Sequence, residues 1–137
     1  MSLSRIPQRR SKPRRGPPGI PDEEWRNPLY RRFLVDVGRC VICLKWPVLR
    51  NKWWDFCDPA HTEHNGMSSK GRDASCAPLC RCHHNQYDGQ SKLPNGEVGH
   101  EAFEAYYRVD MKAVAAEWWG RFKAWQASLT SAKTPSA

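Results

Sequence analysis

Between residues 77 and 88 the chain reads "APLCRCHHNQYD", which places Cys80, Cys82, His83 and His84 within five positions and Asp88 four residues further on. Thiolates and imidazoles bind zinc-like ions, while a carboxylate beside an imidazole suits a harder divalent ion that keeps water in its shell. Neighbouring residues on a helix point about 100° apart, so His83 and His84 do not serve one ion. Cys80 and His83, three apart, share one face; His84 and Asp88, four apart, share another. The segment therefore divides into two ligand pairs for two different sites.

The first pair has a complement upstream. Cys40-Val-Ile-Cys43 is a CxxC knuckle and Cys80-Arg-Cys-His83 a CxxH knuckle. Together they make a Cys3His set, the closed tetrahedral type that holds structural zinc. Cys76 or Cys82 could stand in for Cys80 or His83. The second pair, His84 and Asp88, leaves coordination positions open and fits a catalytic divalent ion such as Mg2+ or Mn2+. The stretch "DPAHTEH" offers Asp58, His61 and His64 as further participants. A histidine that ends a strand opposite a metal-bearing helix is placed to take a proton from an attacking water. His61 is the candidate general base and His64 its alternative.

Composition narrows the class. The chain has 137 residues and a formal net charge of +8, room for one domain of modest core and a bias toward polyanionic partners, DNA foremost. No apolar run approaches the ~18 residues of a membrane span. The first twenty residues carry arginines but no apolar stretch of the signal-peptide kind. Six cysteines without an export signal read as metal ligands and buried thiols in a cytoplasmic protein rather than as a disulfide framework.

The elements that must position these residues follow from local pattern. Residues 1–24 are Pro/Arg-rich, with six basic residues and no acid from Arg5 to Arg15, and read as a disordered basic arm. In "NPLYRRFLVDVGR", Asn27 is an N-cap and Pro28 the first helical residue. Residues 44–60, rich in Trp, Val and Phe, are expected to be strand, and "ASCAPL" a second strand. A helix then starts near Leu79 and stops at Gly89. From residue 100 to 128 the pattern is helical, with a break capped by Asp110, and Phe103, Tyr107, Met111, Val114, Trp118, Phe122 and Trp125 form a stripe read as core. Residues 129–137 read as a frayed tail. The expected fold class is α+β: a zinc-bearing core over 25–99 with C-terminal helices packed on it.

A His-bearing strand, a Gly/Lys/Asp loop, "PLC", a double histidine and an acid four residues on resemble the HNH (ββα-metal) endonucleases. The stretch "DPAHTEHNGMSSKGRDASCAPLCRCHH" is most similar to phage and prophage HNH nucleases related to the RecA-dependent recombination-enhancement nuclease. The resemblance covers about residues 38–90. It implies a ββα-metal core, with His61 as general base, Asp73 as the residue that orients it, and His84 and Asp88 on the catalytic ion. It also matches Cys40, Cys43, Cys80 and His83 to the structural zinc of the zinc-bearing members.

The implied chemistry is hydrolysis of DNA phosphodiester bonds in a bacterial host cell, with a recombinase or another DNA-processing protein as candidate partner. Lys70, Arg72 and Arg81, with Arg50 and Lys52, are the candidate phosphate contacts. Many such enzymes carry a metal-binding residue just before the base, where this chain has Ala60. Either Asp58, His61 or His64 enters the ion's shell, or His84, Asp88 and waters hold it. The rival readings are a non-catalytic zinc-stabilised nucleic-acid-binding module and an accessory protein that docks through its C-terminal helices.

Overall fold

The computed structural model describes residues 16–63 and 71–133, with side chains described to residue 130. Most of the basic arm, together with His64, Lys70 and the last four residues, lies outside that range. The chain is a small α+β protein. Its helices are α1 (Asp22–Trp25), α2 (Pro28–Val37), α3 (Val41–Lys45), α4 (Arg81–Tyr87), α5 (His100–Tyr107) and α6 (Met111–Lys133). Its two strands, β1 (Cys57–His61) and β2 (Cys76–Cys80), pair antiparallel with Cys57 opposite Cys80 and His61 opposite Cys76.

Helix α2 starts as its sequence dictates. The Asn27 side chain accepts from the Tyr30 backbone N–H at 2.9 Å, and Pro28 takes the first helical position. Replacing Asn27 by alanine is expected to cost about 1 kcal/mol in chemical denaturation, because the cap is lost together with the exposed bond from Asn27 Nδ2 to the Glu23 carbonyl. Helix α4 begins directly after β2 and ends before Gly89, whose φ of +80° suits a residue without Cβ. The α5–α6 break falls at Arg108, which is left-handed, and Asp110 Oδ1 accepts from Ala113 N–H at 3.1 Å.

The strand expectation for 44–60 holds only from Cys57 onward. The CxxC knuckle is completed inside α3, Pro47–Leu49 form a 3₁₀ turn, and residues 52–55 are turns. The aromatic residues that suggested strand are in part on the surface: Trp53 and Phe56 are exposed, with Lys52 over the Trp53 ring. Helix α1 begins inside the stretch read as a disordered arm, and α6 reaches Lys133, inside the stretch read as a frayed tail.

Two apolar clusters hold the elements together. One surrounds the cysteines and joins Ile42, Leu79, Tyr87, Phe103 and Met111. The other packs Tyr30, Phe33 and Leu34 of α2 on Trp118 and Phe122 of α6. The C-terminal stripe is thus mainly core, as its spacing implies, although Trp125 at its end is 37% exposed. Tyr30 also donates its hydroxyl to the Cys76 carbonyl at 2.8 Å, which fixes α2 to β2.

Candidate functional site

Cys40 and Cys43 come from the start of α3, and Cys80 and His83 from the junction of β2 and α4. All four are buried, and their ligand atoms lie within 4.8 Å of one another. His83 Nδ1 is 3.4 Å from Cys40 Sγ, 3.5 Å from Cys43 Sγ and 3.2 Å from Cys80 Sγ. Around a tetrahedral zinc the S···N separation is about 3.6 Å, so the cluster is close to the size of a zinc shell. It can hold a structural metal such as zinc.

Electrostatics point the same way. The Cys80 thiol is pulled far down by the hydrogen bond from Cys40, with burial opposing and His83 and Asn51 adding to the pull. Cys40 is pushed up, first by sharing its proton with Cys80 and then by burial; Cys43 is pushed up by burial and the Cys80 charge. Cys80 is therefore the most readily ionised thiol of the cluster, and a divalent cation would favour the thiolate form of all three. Two supports were not evident in the sequence: Asn51 Nδ2 donates to Cys80 Sγ at 3.4 Å, and Arg50 Nε donates to the Cys43 carbonyl at 2.9 Å. Of the alternative ligands, Cys82 is exposed and Cys76 lies with His61 and Asp73 in a second buried group.

That second group is built on the end of β1. His61 Nε2 donates to Asp73 Oδ1 at 2.9 Å, and both residues are buried. Asp73 Oδ2 accepts the Asn27 backbone N–H at 2.7 Å, and Arg26 stands 3.9 Å from Oδ1. Burial alone would raise the Asp73 carboxyl, but the His61 and Asn27 hydrogen bonds and the nearby charges hold it below its ordinary value. The carboxylate is therefore ionised and fixes the His61 ring through Nε2, which leaves Nδ1 as the nitrogen able to take a proton.

His84 forms a separate cluster. Its Nε2 lies 3.1 Å from Asp88 Oδ2, and its Nδ1 lies 3.6 Å from Asp58 Oδ2. Nδ1 is buried and has no hydrogen-bond partner among the described residues. Asp58 is also bound by Arg81 at 2.9 Å. His100, which sequence pattern did not single out, places Nε2 at 3.9 Å from Asp88 Oδ1. No ligand-like spacing connects His100 to the 77–88 segment; only the packing of α5 on α4 brings them together.

The His84 pKa is raised, chiefly by the hydrogen bond to Asp88 and against the effect of burial, with Asp58 contributing. Asp88 is held well below the carboxylate range by His100 and His84. The Asp88 contribution to stability is present above its ordinary 3.8 and lost as pH falls through the lowered value. The His84 contribution is present below 6.5 and lost as pH rises through the raised value. Without added divalent ion, the His84 imidazole is expected to titrate above 6.5 by NMR, and Asp88→Asn to lower that midpoint.

The candidate phosphate contacts differ in availability. Arg72 is engaged by both oxygens of Glu63, at 2.9 and 2.6 Å, and by Glu24 at 2.7 Å. Gly71 is needed beside it, since a Cβ there would sit 2.5 Å from the Glu63 carbonyl oxygen. Arg81 is 66% exposed, and Arg50 lies over the Trp54 ring. No helix among the described residues is long and apolar enough to cross a membrane. No protein-family model, curated protein or solved structure matches the chain.

Proposed function

We propose that the chain is a metal-dependent endonuclease of the HNH type that hydrolyses DNA phosphodiester bonds, with the Cys3His cluster carrying structural zinc. The observation that carries this reading is the 2.9 Å contact of His61 Nε2 with Asp73 Oδ1, with Asp73 itself anchored by the Asn27 N–H. A histidine whose far nitrogen is held by an ionised carboxylate keeps its tautomer, with the near nitrogen left as the acceptor. His61 Nδ1 takes the proton of the attacking water. The new O–P bond forms as the bond to the leaving oxygen breaks, and solvent protonates that oxygen.

His84 and Asp88 offer the donor set for a divalent ion, which when bound supplies positive charge to the scissile phosphate and leaving oxygen. Exposed Arg81 draws the phosphate backbone without reading sequence. The order β1, β2, α4, with the base on β1 and the second donor set on α4, agrees with a ββα-metal core.

The test is nicking of supercoiled and single-stranded circular DNA by zinc-loaded protein, with Mg2+ or Mn2+ and with chelator. Ion-dependent cleavage is expected. Tight DNA binding with no cleavage at any ion concentration would replace this reading by a zinc-stabilised binding module.

A further inference from the structure

We propose that the cleft beside Trp53 and Phe56 takes an unpaired base of a DNA strand whose phosphates meet Arg81. The proposal rests on the endonuclease reading only for the class of polymer; the cleft itself is argued from its lining. It holds about 730 Å³, within the ~300–1,000 Å³ of small-molecule clefts, and Val35, Arg39, Trp53, Phe56 and Arg81 are among its walls.

Its two rings take no part in the core. Trp53 is 50% and Phe56 65% exposed, and neither belongs to either apolar cluster. Val35 is exposed beside them. Single apolar residues on a surface are ordinary, but a contiguous set of them marks a contact face. The two rings meet edge to face, with centroids 5.8 Å apart and planes 68° from each other. A flat base stacked on one ring meets the other at its edge, so the pair makes a corner for a planar ligand.

Charge around the corner fits a nucleotide better than an apolar peptide. Lys52 Nζ lies 5.0 Å from the Trp53 ring centroid, and Arg39 and Arg81 stand in the wall. Asp36 and Asp58 line the cleft too, but Arg32 holds the first at 2.9 Å and Arg81 the second at 2.9 Å. Arg81 remains mostly exposed in that pair and keeps donors for a phosphate. Asp55, the third carboxylate, offers an acceptor to the exocyclic amine of a base. Rings interleaved with cations are the surface that single-stranded nucleic acid recognises, by stacking and by charge.

The cleft adjoins the candidate site. Asp58, in its wall, has Oδ2 3.6 Å from His84 Nδ1, and Arg81 is the first residue of α4. A base held in the corner therefore brings its own backbone toward the helix that carries His84 and Asp88. A base inside a duplex has both faces covered by its neighbours, so stacking here selects strands with unpaired bases.

The test uses the full chain, zinc-loaded, without added Mg2+ or Mn2+ and at one fixed salt concentration. Fluorescence anisotropy is read on a short labelled oligothymidylate, on an abasic oligomer of the same length and on a duplex of that length. Wild type is expected to bind the oligothymidylate ~5- to ~150-fold more tightly than the abasic oligomer, the range that stacking on aromatic side chains supplies. The double variant Trp53→Leu, Phe56→Leu keeps the surface apolar and removes the rings. It is expected to lose that preference and to bind the duplex as wild type does. Both positions are exposed, so it is expected to melt with the wild type.

A preference for oligothymidylate that survives in the double variant would overturn the cleft as its source, and so would an equal loss on all three probes. No binding to any probe by folded, zinc-loaded wild type would overturn the proposal and assign the rings to a protein partner. Nicking with Mn2+ is followed in parallel. A ring-dependent preference without nicking supports the cleft and removes the endonuclease reading. Nicking that ignores the substitutions, with no preference for bases, leaves that reading standing and removes the cleft.

Discussion

Replacing Cys43 by serine is expected to abolish metal retention and unfold the chain at ambient temperature. Structural zinc contributes about 10–16 kcal/mol of apparent binding energy in small zinc domains. A domain of this size has only about 5–15 kcal/mol of net stability. The cluster also occupies the middle of one of the two apolar cores, where Cys40, Cys43 and Cys80 are each fully buried. Without a cation those thiols and the His83 ring are poorly matched polar groups in a dry site.

Zinc content by elemental analysis and helicity by circular dichroism, with and without chelator, would report the loss. Cys82→Ser is the control: Cys82 is exposed and its removal is expected to stay within ~0.5 kcal/mol of wild type. A Cys43→Ser protein that lacks metal yet melts like wild type would show that the four residues are merely packed thiols and a ring.

The second large effect concerns His61. His61→Ala is expected to lower DNA cleavage by ~10²–10⁴-fold while zinc stays bound, the usual contribution of a positioned general base. The alanine variant also strands Asp73, a buried carboxylate that would keep Arg26 and the Asn27 N–H as its partners among the described residues. That loss of a hydrogen bond costs about 1–3 kcal/mol of stability, so the melting temperature must be read alongside the rate. His61→Gln separates the two effects, because its amide N–H can still reach Asp73 but cannot serve as base. Equal loss of cleavage in both variants, with the His61→Gln protein nearly as stable as wild type, is the expected pattern. Full activity in either variant would remove His61 from the chemistry.

Much of the fold was legible where a residue type has only one good use at its position. Asn27-Pro28 could only open a helix, Gly89 could only follow one, and the CxxC and CxxH spacings brought four ligands together across a 40-residue gap. The stretch 44–60 misled because aromatic and β-branched residues report a half-buried surface rather than a strand. Here Trp46 packs against the apolar core that includes the cysteines, from the end of α3, while Trp53 and Phe56 face solvent.

In the site, residues on one segment were readable and residues joined by packing were not. His84 and Asp88 are one helical turn apart and announce each other. Asp58 reaches His84 across the strand–helix interface, and His100 reaches Asp88 from α5; neither distance is encoded in any local spacing. The engagement of Arg72 by two glutamates was likewise invisible, since Glu24 lies 48 residues away.

The two halves of the cysteine cluster differ in how early in folding they can form. Cys40 and Cys43 stand one turn apart and can seize a cation while the rest of the chain is still unfolded. Recruiting His83, 40 residues beyond Cys43, closes a long loop whose length-dependent entropy is about 3 kcal/mol. A cation already seated on the first knuckle makes that closure a capture step rather than a search for packing partners. Refolding rates should therefore rise with metal supplied at the start and lag when it is added late, so that order of addition becomes a kinetic signature of the cluster.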